Sequence, residues 1–215
     1  MTLTVKAFDH LDEAARALLA SGGARFLGGG TLMMRAINAG QQRFDTLVRT
    51  TDPALTRIEA RGDRIVLGAG VTMAQVLANR ELAFLAPVAR KVGGPAVRTT
   101  ATVGGNLFAM SPYGDFACAL LVLDTELTLI GRDGVATWAL EDFMLALDGP
   151  QRPAGIVSAL SFTRPARDAL RFLKVTRVRP RGSSVLTIAA LLPSRSARIA
   201  GARIAYGSMA RRPIR

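Results

Sequence analysis

The sequence predicts an α+β protein, on the strength of two patterns. Up to about residue 150, stretches with the alternation of strands are interleaved with stretches of helical periodicity. After Gly155, four strand-like stretches follow one another with little helix between them. With 215 residues, 49% of them hydrophobic and 20% charged, the chain is long and apolar enough to bury a substantial core.

The first unit, residues 1–53, is predicted to be a small βαβαβ fold. A half-buried strand is predicted from the alternation of Leu3, Val5 and Ala7 with polar residues, and Asp9 is predicted to cap the helix that follows and ends at Gly22-Gly23. A short strand at 25–27 leads into Gly28-Gly29-Gly30-Thr31. The unit is completed by a helix from residue 32 towards Gly40 and a strand over 46–50.

The second unit, residues 54–150, opens with a predicted strand over 64–71. Thr72 and Gln75 have the spacing of a capping box for a helix over 73–81, and a further helix is predicted over 83–92. Gly93-Gly94-Pro95 ends that helix, and a second glycine turn, Thr102-Val103-Gly104-Gly105-Asn106, follows. A buried helix over 116–123 and a strand over 126–130, closed by a turn at 131–134, are predicted next.

Residues 149–155, rich in glycine and proline, form the best linker in the sequence. The third unit, residues 155–215, is therefore predicted to be a separate lobe built on an antiparallel sheet. Its four predicted strands cover 156–162, 169–175, 185–192 and 198–206.

The charge of the chain is distributed unevenly. There are 28 lysines and arginines against 16 acidic residues, a formal net charge of +12. Residues 1–163 contain equal numbers of basic and acidic side chains. The excess lies in residues 164–215, where Asp168 is the only acid and nearly all the basic residues are arginines.

The composition excludes several kinds of site. A single cysteine, Cys118, allows no intramolecular disulfide, and with His10 as the only imidazole no zinc or iron–sulfur site can be built. No secretory signal is recognisable and no apolar run is long enough to span a membrane, so we expect a cytoplasmic protein. Cys118 is predicted to be an inert buried thiol, and Trp138 and Phe143 to pack in the second unit.

The two glycine turns are the best candidates for chemistry. Consecutive amides without Cβ atoms can converge on an anion, and two such turns could hold a pyrophosphate from opposite sides. Thr31 and Asn106 could add side-chain donors. Neither G-x-G-x-x-G before a helix nor a P-loop motif is present, so a dinucleotide site here would be of another type.

Four segments resemble a known family, the FAD-binding subunits of molybdenum hydroxylases. These are LGGGT at 27–31, DPALTRIEARGDRIVLGAGVTMAQVLA at 52–78, RTTATVGGNLFAMSPYGD at 98–115 and ALLVLDTELTL at 119–129. The family includes the medium subunit of carbon monoxide dehydrogenase and the flavin domains of xanthine dehydrogenase and aldehyde oxidoreductases. The resemblance implies a two-subdomain FAD-binding lobe of the vanillyl-alcohol-oxidase/PCMH type, with a smaller antiparallel C-terminal lobe that is cut short in this chain.

The resemblance also implies where FAD binds. One pyrophosphate loop would comprise Phe26, Leu27, Gly28, Gly29, Gly30, Thr31, Leu32 and Met33, and the other Thr102, Val103, Gly104, Gly105 and Asn106. Asp115 matches the acid that contacts the sugar part of the cofactor, and Val157 and Lys174 match positions by which the C-terminal lobe reaches the flavin. Val92 aligns with an apolar contact. Leu32 stands where relatives often have a polar residue, and without histidine in either loop the FAD is expected to be non-covalent.

By resemblance, FAD here would pass electrons to NAD or a quinone, after substrate oxidation at molybdenum in a large molybdopterin subunit and transfer through a small iron–sulfur subunit. No catalytic side chain and no metal ligand are expected in this chain. The alternatives are a stand-alone flavin reductase or oxidase, a degenerate paralogue, and a basic nucleic-acid-binding protein, which we disfavour because the arginines lack interleaved aromatic residues. The surplus arginines would either dock acidic partner subunits or be left unpaired in a shortened lobe.

Overall fold

The N-terminal unit is a three-stranded parallel sheet with strand order β1-β3-β2 and two helices. It comes from a computed structural model, which describes residues 3–150, 152–178, 182–195 and 198–215. Its elements are β1 (Thr4–Phe8), α1 (Leu11–Leu19), β2 (Ala24–Phe26), α2 (Thr31–Asn38) and β3 (Thr46–Thr50). The predicted βαβαβ order is therefore present. Gln151 of the predicted linker and Arg179 and Arg181 of the arginine-rich segment lie outside the described residues.

Two details of this unit differ from the sequence predictions. The alternation in β1 predicted a half-buried strand, but β1 is an edge strand, Val5 is 56% exposed, and only Phe8 packs against the core. Asp9 does not cap α1. The N-cap residue is His10, and the amide of Leu11 is instead bonded by the carboxylate of Asp52, 2.9 Å away across the unit.

The second sheet has five antiparallel strands in the order β4-β5-β8-β6-β7. Strands β4 and β7 are its edges and were not predicted. The strands are β4 (Ile58–Arg61), β5 (Arg64–Gly68), β6 (Glu126–Gly131), β7 (Gly134–Ala139) and β8 (Ile156–Thr163).

Strand β8 was predicted to belong to the C-terminal lobe, and that assignment is wrong. It pairs with β5 through Leu67 and Leu160 and with β6 through Leu127 and Leu160, so it forms the centre of the five-stranded sheet. The linker at 149–155 therefore leads back into the second sheet. The physical reason is burial: the apolar side chains of β8 fill the core between the sheet and its helices.

Short helices connect the strands of the second unit. Thr72 and Gln75 form the predicted capping box at the start of α3. The two longer helices predicted up to residue 92 are broken, because Asn79 is extended and begins a 3₁₀ turn. The helical segments are the 3₁₀ turns Pro53–Thr56 and Arg80–Leu85, and α3 (Met73–Ala78), α4 (Ala86–Ala89), α5 (Pro95–Arg98), α6 (Val103–Leu107), α7 (Asp115–Val122) and α8 (Leu140–Ala146).

Helix α7 lies at the centre of the molecule, and every one of its residues is buried. It packs on α6 and also on two strands of the C-terminal sheet, β10 (Ser184–Leu191) and β13 (Arg203–Gly207). Trp138 and Phe143 pack edge to face with ring centroids 6.1 Å apart, which confirms their predicted place in the second unit. Burial of Cys118 on α7 raises the pKa of its thiol to about 12.

The C-terminal sheet is antiparallel, as predicted, with the order β13-β10-β9 and a separate two-stranded ribbon. The stretch 198–206, predicted as one strand, is divided at Gly201, which has a φ of +75°. The strands are β9 (Leu170–Thr176), β10 (Ser184–Leu191), β11 (Ser194–Arg195), β12 (Arg198–Ile199) and β13 (Arg203–Gly207).

Candidate functional site

The first glycine loop presents a run of unused backbone donors. Strand β2 ends where the amide of Leu27 donates to the carbonyl of Val48 at 2.7 Å. Gly30 then adopts the left-handed region, with a φ of +71°, and α2 begins at Thr31. Within the part of the chain that the structure describes, the amides of residues 28–33 have no hydrogen-bond acceptor. Such a run of amides at the start of a helix is suited to an anion.

The second glycine loop is built differently, because its amides are used within the protein. The amides of Val103 and Gly104 donate to Val71 and Ala69 at 2.8 and 2.7 Å. That of Gly105 donates to Oγ1 of Thr102 at 3.1 Å, and that of Asn106 to the Thr102 carbonyl. The expectation of a second set of free amides is therefore wrong for residues 103–106. What this loop can still offer a ligand is the side-chain amide nitrogen of Asn106 and a close approach at exposed Gly105.

The two loops lie against each other. A Cβ atom on Gly29 would be 1.8 Å from the carbonyl oxygen of Thr100, and one on Gly28 would be 3.2 Å from Oγ1 of Thr102. The free amides of the first loop therefore lie beside the second loop. The segment around Tyr113 lies against the helix that follows the first loop. The guanidinium of Arg35 on α2 is 5.8 Å from the ring centroid of Tyr113 and donates a hydrogen bond to its hydroxyl.

Asp115 and Lys174, predicted from separate parts of the chain, are in direct contact. Nζ of Lys174 lies 2.5 Å from Oδ2 of Asp115. The ammonium also donates to the carbonyl of Lys91 at 3.1 Å, and Oδ1 of Asp115 accepts from the hydroxyl of Thr187 at 2.7 Å. The ion pair is almost fully enclosed, with 12% of the lysine and 7% of the aspartate side chain exposed. Through these bonds α7, β9 and β10 are connected to Lys91, the residue that precedes Val92.

Val157 is buried in β8 opposite Leu129, and its neighbour Ser158 is bonded to a residue that contacts the second loop. The carbonyl of Ser158 accepts from the amide of Ala69 at 2.9 Å, and Ala69 in turn accepts from Gly104. Val92 is partly buried and packs against the core. Both residues thus lie one or two contacts away from the loop and the ion pair.

Sequence reasoning missed several members of the site. Thr187 and the carbonyl of Lys91 carry no motif, and Thr100 lies within the resembling segment 98–115 but was not predicted to meet the first loop. The available signal for Thr187 was a polar residue within the apolar strand β10. Among the residues that the structure describes, no group of three or more His, Cys, Asp or Glu side chains could hold a metal ion. None of the helices it describes is both long and apolar enough to cross a membrane.

The arrangement fits a dinucleotide cofactor. The free amides of residues 28–33 and the hydroxyl of Thr31 could bind a pyrophosphate, while Asn106 and the Lys174 ammonium offer donors for its other polar groups. The fold and these loops define a cofactor-binding α+β protein that lacks the G-x-G-x-x-G motif.

The chain belongs to the family described as "FAD binding domain in molybdopterin dehydrogenase", whose sequence model matches residues 4–162. It therefore carries an FAD-binding domain.

Two curated relatives support this assignment. The chain is 24% identical over 180 residues to the xanthine dehydrogenase FAD-binding subunit of Escherichia coli O157:H7. It is 27% identical over 170 residues to the nicotinate dehydrogenase FAD-subunit of Eubacterium barkeri. Each match takes in 74% of this chain, but only 62% of the first relative and 57% of the second.

Solved structures share the fold over the whole chain. A chain of carbon monoxide dehydrogenase from Hydrogenophaga pseudoflava superimposes with a TM-score of 0.90 at 19% identity, covering 100% of this chain and 77% of that one. A chain of quinoline 2-oxidoreductase from Pseudomonas putida 86 gives 0.83 at 23% identity, covering 99% and 76%. The predicted architecture, an FAD-binding α+β lobe followed by an antiparallel sheet, is thereby confirmed.

Proposed function

We propose that this chain is the FAD-binding electron-transfer subunit of a multi-subunit molybdenum hydroxylase. In this proposal a small iron–sulfur subunit supplies electrons that originate at a large molybdopterin subunit, and the chain delivers them to NAD or a quinone. The observation that carries the proposal is the run of free amides at residues 28–33, held against the second loop by Gly29. A site of this kind binds a diphosphate through the backbone and requires no catalytic side chain.

The proposed FAD contacts are those predicted from the sequence. Bound FAD would supply the redox chemistry. The loop 26–33 would hold the pyrophosphate, and the loop 102–106 would support it through Asn106 and through the close approach at Gly105. Asp115, Val157 and Lys174 would position the remainder of the cofactor from the other side. The three-part division of the chain, 1–53, 54–150 and a C-terminal lobe, is kept as part of this proposal, with β8 moved to the second unit.

The ion pairs of the arginine-rich segment, residues 164–215, favour partner docking over nucleic-acid binding. Many of its arginines neutralise acids of the preceding units: Arg164 pairs with Glu81, Arg203 with Asp124, Arg211 and Arg212 with Asp148, and Arg215 with Asp124 and Glu141. Arg171, Arg177 and Arg198 are exposed. We propose that such residues dock acidic surfaces of the partner subunits, so that added salt weakens complex formation and leaves FAD content unchanged.

The test begins with the purified full chain, which should be yellow, release FAD on denaturation, and rebind it from the apoprotein. Gly30→Ala and Gly40→Ala form a matched pair, because both glycines have a positive φ, +71° and +68°. They carry similar backbone strain, but only Gly30 belongs to the loop, where its Cβ would also lie 3.1 Å from Cδ1 of Leu27. FAD affinity should fall about tenfold or more in Gly30→Ala, an effect of about 1.4 kcal/mol, and should be unchanged in Gly40→Ala.

Protein that is colourless and cannot be reconstituted with FAD would overturn the proposal. Oxidation of a reduced nicotinamide or another donor by the chain alone, without partner subunits, would favour the stand-alone reductase or oxidase.

A further inference from the structure

Thr187 is a fully buried hydroxyl in the middle of the C-terminal sheet. It lies on β10, where its Oγ1 is 2.7 Å from Oδ1 of Asp115 and 3.0 Å from Oγ of Ser184. The carboxylate of Asp115 can only accept hydrogen bonds, so the hydroxyl of Thr187 donates its single hydrogen to it. The hydroxyl of Ser184 is therefore the donor to Oγ1 of Thr187. The two hydroxyls form a directed chain of hydrogen bonds that ends on the carboxylate.

The other oxygen of Asp115 holds the ammonium of Lys174. A buried ion pair is tolerated only when its remaining lone pairs and protons are also satisfied. The hydroxyl of Thr187 donates a hydrogen bond to the carboxylate, and the carbonyl of Lys91 accepts a hydrogen bond from a second N–H of the ammonium. Among the described residues no acceptor takes the third N–H of Lys174. The network therefore holds one charged donor ready at the junction of α7, β9 and the segment after α4.

We propose that Thr187 is a positioning residue for the cofactor. Its hydroxyl fixes the rotation of the Asp115 carboxylate, and the carboxylate fixes the Lys174 ammonium so that its remaining N–H can donate to a carbonyl or anionic group of FAD. This inference rests on the proposed function, since it takes FAD to be the ligand that Lys174 meets. Thr187 is the cross-strand neighbour of Lys174 in the pairing of β10 with β9, but its hydroxyl bonds Asp115 and Ser184 and not the ammonium.

The first experiment needs no cofactor. The chain has only three lysines, so acylation by an amine-reactive anhydride can be followed at each by mass spectrometry. In the apoprotein Lys174 should react slowly, whereas exposed Lys6 and Lys91 should react fast. In Thr187→Val the Lys174 rate should rise about tenfold or more, because the Asp115 carboxylate loses the hydrogen bond that fixes it against the ammonium. Lys6 and Lys91 serve as internal controls.

Two variants separate positioning from general damage. Thr187→Ser restores the hydroxyl and should return Lys174 to the slow rate. Ser184→Ala removes the neighbouring hydroxyl, which does not contact Asp115, and should leave the Lys174 rate within about twofold of that of the native chain. A Lys174 rate that is the same in Thr187→Val as in the native chain overturns the proposal. So does an equal rise of the Lys174 rate in Ser184→Ala, which would report loosening around β10 and not loss of the hydrogen bond to Asp115.

The second experiment measures FAD affinity and flavin redox potential. Thr187→Val should weaken FAD binding about tenfold and shift the potential, and Thr187→Ser should restore both. In an Asp115→Asn background Thr187→Val should have little further effect, because the two residues act in series.

The results of the two experiments distinguish this inference from the proposed function. Native chain that binds FAD, with unchanged affinity and potential in Thr187→Val, overturns the positioning role alone. Native chain that binds no FAD overturns the proposed function and this role with it. An equal loss from Thr187→Val in the native and Asp115→Asn backgrounds also overturns the role, because it would show that Thr187 acts independently of Asp115.

Discussion

Gly29 lies so close to Thr100 that a Cβ atom on the glycine would be 1.8 Å from the threonine carbonyl oxygen. Residue 29 lies in the connection between β2 and α2, and residue 100 precedes the second glycine turn. The two backbones can meet only because residue 29 has no side chain. This contact joins the loop with free amides to the loop whose amides are already bonded.

Gly29→Ala should therefore separate the loops. Since the obstructing atom is backbone, the overlap cannot be relieved by a change of rotamer, and we expect a loss of about 1–3 kcal/mol in the free energy of unfolding. The FAD content of Gly29→Ala should also fall, because the two loops no longer lie against each other. Gly22→Ala is the control, since its Cβ would have no atom within 4 Å. Denaturant unfolding and flavin absorbance measure both effects, and equal behaviour of the two variants would contradict the close contact.

Asp52 caps two elements at once, and its replacement should destabilise the N-terminal unit. The carboxylate accepts from Ala54 at the 3₁₀ turn and from Leu11 at α1, both at 2.9 Å. Asp52→Ala should cost about 1 kcal/mol of stability in thermal or denaturant unfolding. Asp9→Ala removes the residue predicted from the sequence to cap α1 and should cost less, since among the described residues Asp9 accepts only from the hydroxyl of Thr51.

The stability supplied by Asp52 should depend on pH. The amides of Ala54 and Leu11 lower the pKa of this carboxyl in the folded protein. A carboxyl whose pKa is lowered by folding stabilises the protein above its unfolded pKa, and that stability is lost as the pH falls through the folded pKa. The difference in stability between the native chain and Asp52→Asn should thus be constant near neutral pH and shrink in acid. A difference that grows in acid would contradict this assignment.

Arg212 should matter far more to stability than Arg167, although both belong to the arginine-rich segment. The side chain of Arg212 is 8% exposed and its Nε lies 3.0 Å from Oδ2 of Asp148, whereas that of Arg167 is 97% exposed. Arg212→Gln should cost about 1.5 kcal/mol, because it removes the buried guanidinium from Asp148 and leaves that carboxylate only the more exposed Arg211, at 3.5 Å. Arg167→Gln should change stability by less than about 0.5 kcal/mol. Chemical denaturation at fixed salt compares the two variants.

Cys118 should be unreactive in the folded protein. Burial in α7, the main cause, raises the pKa of its thiol to about 12, so almost no thiolate is present at pH 8. A disulfide reagent added at this pH should label the denatured chain at once, while the folded chain is labelled only as fast as it unfolds. Rapid labelling of the folded chain would show that α7 is not enclosed as described.

Local patterns in the sequence predicted much of the N-terminal unit and several of the helices. The capping box at Thr72 depends on residues three apart, and the burial of α7 follows from eight residues of nearly unbroken hydrophobicity. Such features are visible in the sequence because the interacting groups are close along the chain. The loop motifs and the family resemblance located the candidate FAD site in the same way.

Only the tertiary structure decided which distant segments meet. From the sequence, strand β8 was predicted to begin a new lobe after the linker at 149–155. It lies instead at the centre of the preceding sheet, because the pairing of a strand depends on packing against residues distant in the chain. Sequence alone also placed the N-cap on Asp9, whereas the carboxylate that bonds α1 comes from Asp52, 41 residues further on.

The sequence by itself determined the class of protein, the two glycine loops, and the identity of Asp115 and Lys174 as candidate site residues. The tertiary structure decided that the first loop keeps its amides free while the second uses them, and that Asp115, Lys174 and Thr187 form one buried network. It also showed that arginines of residues 164–215 pair with acids that lie 60 to 100 residues earlier in the chain. The net charge of +12 depends on composition alone, whereas the pairing of individual charges depends on which surfaces the fold brings together.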